Sequence, residues 1–244
     1  MIKFFRHIRQ RLLTENKFSK YLLYAIGEIA LVMIGILLAL QVNNWNEFQK
    51  DRKIEKEALV RLVENMKLNI NNTEHKIARI QSANKSGQII FVAIKNSNST
   101  VDTLGKHFHE ALLNHANLLL TIGSYEALKN IGFEIIRNET LKNEIVNLHE
   151  NTYLQLGRNQ KWGEEVRPDF DKYVIDHFIS DGVRGWIPRN FNEVSKDHYF
   201  FGLIDIADQQ RGYYEIKYKE TLVETKRVFE LIKDELGKSD GNNS

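Results

Sequence analysis

Tyr21 to Leu40 reads YLLYAIGEIALVMIGILLAL, and no other stretch of the chain is as apolar over that length. At ~1.5 Å rise per residue it makes a helix of about 30 Å, the thickness of a bilayer's hydrocarbon core. The stretch predicts a transmembrane helix at 21–40. It divides the 244-residue chain into a basic arm (1–20), the span, a domain at 41–236 and a polar tail at 237–244. The domain is long enough to close a core of its own.

The flanks give the expected topology. Residues 1–20 carry Lys3, Arg6, Arg9, Arg11, Lys17 and Lys20 against Glu15, whereas the far flank, QVNNWNEFQ, has no basic residue before Lys50. The positive-inside rule places the N-terminus in the cytoplasm and the later domain in the periplasm, across the inner membrane of a cell envelope. Trp45 suits the outer interface, half apolar and half wet. LLALQVNNW lacks a small-x-small cleavage site, and the run is too long for a signal-peptide core, so an uncleaved anchor is expected. Ile2, Phe5, Ile8 and Leu12 fall at helical spacing between the basic residues; the arm reads either as an amphipathic helix on anionic lipid or as a basic flank.

Glu28 stands inside the span, where an ionised side chain costs on the order of 3 kcal/mol. It therefore calls for protonation, a partner or a protein-facing position. Helical spacing puts it on one face with Gly35 and Ala39, a small-x-x-x-small pair over which a second helix can approach closely. Glu28, Gly35 and Ala39 predict association in the membrane, as a homo-oligomer or with another membrane or envelope protein.

LLTENKFSKYLLYAIGE (Leu12–Glu28) and GILLALQVNNWNE (Gly35–Glu47) resemble a family of small single-pass proteins of Gram-negative bacteria, catalogued as domain of unknown function 6090. SYEALKNIG (Ser124–Gly132) and ETLKNEIVNLHENTY (Glu139–Tyr153) are similar to it more loosely. The resemblance implies a membrane-anchored helical protein and carries over no activity, substrate or catalytic residue.

Past the span, the chain predicts an all-α up-and-down antiparallel bundle. Only Pro168 and Pro188 interrupt it, and there is no cysteine for disulfides or thiolate metal sites. Leu59, Val63, Met66, Ile70, Thr73, Ile77, Ile80, Asn84, Gly87, Phe91 and Ile94 form a heptad seam, the mark of a bundle helix or an intermolecular coiled coil. A polar connection at 97–102 precedes a helix with Phe108, Leu112, His115 and Leu119 on one side. Gly132 ends a short helix from Ser124, Asn138 or Thr140 caps a helix with Leu141, Ile145, Leu148, Thr152 and Leu156 in register, and Pro168 marks a bend or a first turn. SDGVRGWIPRNF (Ser180–Phe191) is the strongest turn signal. A last helix over about 200–236 carries Leu222, Thr225, Phe229, Ile232 and Leu236 at heptad spacing.

Chemistry is harder to find. All of the net positive charge lies in the arm, so a nucleic-acid-binding domain is not expected. His107, His109 and His115 are out of phase on a helix and do not converge on a metal ion. No phosphate-binding loop or nucleophile motif occurs, and no cofactor is expected. Asp205 and Asp208 are the only carboxylate pair with spacing for acid/base work, and an Asp208–Arg211 contact explains them as well. Aromatic residues gather in the second half, where Arg184, Trp186 and Arg189 could line a ligand pocket or close the bundle end. The sequence thus points to a non-catalytic interaction or assembly protein in contact with the lipid bilayer. A sensory module that binds a small solute is the alternative.

Overall fold

A long apolar-faced helix without proline needs a partner of similar length, and the last forty-odd residues supply one. The computed structural model describes residues 18–96, 101–113, 117–164, 167–182 and 185–241. Helix α1 spans Phe18–Lys95 without a break, and α8 spans His198–Gly241. Between them lie α2 (Val101–Leu113), α3 (Gly123–Ile131), a 3₁₀ turn (Phe133–Ile135) and α4 (Glu139–Asn147). A π-helical turn (Leu148–Tyr153), α5 (Leu154–Glu164), α6 (Arg167–His177), β1 (Phe178–Ser180), β2 (Trp186–Pro188) and α7 (Phe191–Val194) follow. The fold is all-α, and among the described residues the only strands are those of the three-residue antiparallel β1–β2 hairpin, which pairs Phe178 with Pro188 and Ser180 with Trp186.

The chain divides into two units, Met1–Glu55 and Lys56–Ser244. The first contributes the early part of α1, which is long and apolar enough to cross a membrane. Its large apolar side chains are uncovered, from Leu22 at 52% exposed and Leu23 at 71% to Val42 at 65%. The basic arm at 1–17 lies outside the described residues.

In the second unit α1 and α8 run antiparallel. Contacts advance along one helix as they retreat along the other: Glu74 with Lys226, Gln81 with Glu215, Asn84 with Arg211, Phe91 with Phe201. Three apolar clusters are strung along this pair. At one end Leu59, Leu62 and Met66 meet Val228 and Ile232 under α3 and α4. Ile77 and Ile80 meet Tyr214 and Tyr218 in the middle. At the other end Ile90 meets Phe200 and Ile204 under α2, α6 and the hairpin. The seam of α1 is therefore covered by the chain's own elements.

Its register is rotated from the expected one. Leu59, Met66, Thr73, Ile77, Ile80 and Gly87 are buried as expected, but they are joined inward by Leu62, Asn69, Ala83 and Ile90, leaving Val63, Ile70 and Asn84 at the edge and Phe91 exposed. α8 repeats the pattern: Thr225 and Ile232 are buried together with Thr221 and Val228, while Leu222 and Phe229 flank them. Polar side chains occupy these inward positions because each finds a hydrogen bond. Thr73 Oγ1 donates to the Asn69 carbonyl at 2.6 Å, Thr225 Oγ1 donates to the Thr221 carbonyl at 2.8 Å, and the Tyr153 hydroxyl meets Thr225 at 3.0 Å.

Other expectations need correction. α2 ends at Leu113, so Leu119 is not on its Phe108–Leu112 face but in an extended segment, 86% exposed; His115 lies outside the described residues. The π turn inserts a residue into the α4–α5 rod, so Tyr153 takes the buried place expected for Thr152, which is half-buried. α8 continues past Leu236 to Gly241, so the expected tail is helical that far, and 242–244 lie outside the described residues. Gly132 ends α3 with φ at 104°, and Asn138 caps α4 by accepting from the Leu141 amide at 3.1 Å, both as expected.

Candidate functional site

Two surfaces are candidates, one in each unit. In the first, Glu28, Gly35 and Ala39 are exposed on α1. Nothing lies within 4 Å of a Cβ built on Gly35. Trp45 is 64% exposed.

The expected pocket around the hairpin is built differently. Arg184 lies outside the described residues. Trp186 packs half-buried against the Phe108–Phe178–Phe200 cluster, and Arg189 is exposed, its backbone amide donating to the His177 carbonyl at 2.8 Å. Gly185, at φ 83°, rests on the His109 ring, where a Cβ would come within 2.6 Å of Nδ1. Tyr173 stacks on His177 with ring centroids 4.1 Å apart, and its hydroxyl donates to Asp197 at 2.6 Å. These aromatics close the end of the bundle.

Asp205 and Asp208 do not converge. Asp205 is exposed and accepts from Gln209 at 2.9 Å. Asp208 pairs with Arg211, whose guanidinium also donates to Asn84 Oδ1 and to the Ala111 carbonyl, each at 2.7 Å. Burial raises the Asp208 pKa, opposed by Arg211, and burial lowers that of Arg211, opposed by Asp208. One buried cation thus ties α8 to α1 and α2.

A cleft of about 730 Å³ lies between α3, the π turn with α5, and the extended segment 117–122. Side-chain amides hold that segment as a sheet neighbour would. Gln160 accepts from the Leu118 amide at 2.5 Å and donates to its carbonyl at 3.1 Å; Asn69 does the same for Thr121, at 2.7 and 2.9 Å. With the backbone of Leu118 and Thr121 paired in this way, the segment turns Leu119 outward and keeps Leu118 buried.

The cleft's inner wall is aromatic. His149 stacks on Tyr125 with centroids 4.2 Å apart and rings 5° from parallel, and meets Tyr153 edge-on at 5.0 Å. The π turn allows this, because it brings both His149 and Tyr153 inward. His149 Nδ1 lies 2.8 Å from the Ile145 carbonyl, so Nδ1 carries the proton and donates. Nε2 is left as an acceptor, and no described residue pairs with it. Burial lowers the pKa of the ring, which keeps it neutral. The Tyr125 hydroxyl donates to Glu150 at 2.8 Å; burial, then that hydrogen bond, raises its pKa, and the same bond lowers that of Glu150. Lys129 reaches Glu150 at 3.5 Å.

No protein-family model matches the chain, and no curated protein and no solved structure matches it either. Function therefore has to be argued from these two surfaces. Among the described residues no three His, Asp or Glu side chains are grouped so as to hold a metal ion. Sequence reasoning passed over the cleft because its parts are scattered: Asn69, Tyr125, His149 and Gln160 sit on four separate elements. A buried histidine in a π turn leaves no motif.

Proposed function

We propose that the chain is a single-pass membrane protein whose external helical domain works by binding, with the Glu28–Gly35–Ala39 face bringing spans together. The observation that carries this reading is the uncovered apolar surface of α1 from Leu22 to Val42. A continuous apolar girdle of this length is far larger than the patches soluble monomers tolerate, and a bilayer covers it at no cost in structure. Within lipid the exposed Glu28 is stabilised by hydrogen bonding across a helix interface. The cytoplasmic N-terminus, the inner membrane and the kinship with the single-pass bacterial family belong to the same proposal, supported by the charge asymmetry and the quoted motifs. A membrane two-hybrid assay tests the association. Glu28→Leu is expected to reduce the signal several-fold, with Gly35→Ile doing the same, and an undiminished signal in both removes the role.

The second reading, a module that senses a small solute, is favoured by the cleft beside His149. It moves the expected ligand residues away from Arg184, Trp186 and Arg189.

A further inference from the structure

We infer that the cleft between α3 and the π turn binds a small uncharged molecule with an apolar body and one N–H or O–H donor, the donor meeting His149 Nε2. This rests on the sensing reading and names the ligand class for it.

Three features define the class. Size comes first: about 730 Å³ lies within the usual range for small-molecule sites. The second is the apolar lining. Leu119, Ile122 and Leu154 line the cleft while 86%, 43% and 48% exposed, so an apolar occupant would cover side chains that are otherwise wet. The third is the polar group at the inner wall. His149 is only 7% exposed, its Nδ1–H is spent on the Ile145 carbonyl, and Nε2 has no described partner. Nε2 is not itself sealed from the surface, so a donor on a molecule in the cleft can meet it.

Charge argues for a neutral ligand. The acidic Glu126 and Glu150 at the cleft are matched by Lys129 and Arg158, and Glu150 is already occupied by Tyr125 and Lys129. The lining therefore carries no net charge to select an anion or a cation. The donor must also reach an aromatic wall, which suits a planar body that can lie against the Tyr125–His149 stack.

The test uses the full-length protein in detergent micelles with ¹⁵N-labelled histidine rings, titrated with indole and then with 1-methylindole. The two probes share a shape and differ in the N–H. Indole is expected to move the His149 Nε2 resonance saturably, with 1-methylindole binding about tenfold more weakly, the usual worth of one buried hydrogen bond. His149→Phe should abolish the difference between the probes. Leu119→Asp, at an exposed position that leaves the fold undisturbed, should weaken indole several-fold. Equal binding of the two probes, or no saturable shift with indole, overturns the ligand class. If a charged solute shifts the His149 resonance instead, the sensing reading survives without this class; if nothing shifts it, both fall.

Discussion

Arg211 shows how a single residue is committed by its surroundings. The residue is 4% exposed, and its guanidinium satisfies Asp208, Asn84 and the Ala111 carbonyl at once. Removing it strands a half-buried carboxylate and a buried carbonyl, so Arg211→Ala is expected to cost about 3–5 kcal/mol in urea unfolding monitored by circular dichroism. A loss below about 1 kcal/mol would show that water replaces it. His149 sets a pH dependence. Burial puts its folded pKa below the unfolded value of about 6.5, so as pH falls the unfolded chain takes the proton first and stability declines below about pH 6.5. His107, lowered by burial and then by Lys106, acts in the same direction. Asp197, lowered by its bond from Tyr173, and Glu144, lowered by Arg227, lose their contribution only in the more acid range of carboxylates. Melting temperatures between pH 7 and 5 should therefore fall less steeply in His149→Phe than in the parent chain; parallel slopes would contradict the assignment.

At the scale of elements, the α1–α8 approach depends on Gly87. A Cβ there would lie 2.8 and 2.9 Å from the Asp208 carboxylate oxygens, which Arg211 holds in place. Gly87→Ala is expected to destabilise by about 1–3 kcal/mol, and less in an Asp208→Ala background, a coupling that a double-mutant cycle measures. The segment 117–122 depends in the same way on Asn69. Asn69→Leu leaves the Thr121 amide and carbonyl without their partner and should speed hydrogen exchange at that amide; unchanged exchange would mean the segment is held by other contacts. These elements also show what the sequence could reveal. The two long helices were legible because heptad spacing and the scarcity of proline act over many turns. Their exact facing was not, because Asn69 and Thr221 occupy inward positions that the heptad spacing gives to Ile70 and Leu222, while Thr73 and Thr225 are inward as that spacing has them. The π turn was equally hidden: one inserted residue exchanges Thr152 for Tyr153 and, with it, builds the aromatic wall of the cleft. Gly132 and Asn138 were read correctly since each acts through its own backbone or side chain, independent of tertiary contacts.

At the scale of the whole molecule, a helix long and apolar enough to cross a membrane continues into a bundle that closes on itself. The absence of cysteine makes this directly testable, because any single cysteine introduced is the only thiol in the chain. The decisive measurement is labelling of Gln10→Cys and Lys238→Cys variants with a membrane-impermeant maleimide, in intact spheroplasts and again after lysis. A single span with the bundle outside predicts that the Lys238→Cys variant is labelled in both and the Gln10→Cys variant only after lysis. Equal labelling of the two sites in intact spheroplasts, or the reverse pattern, would contradict a single span with its bundle outside.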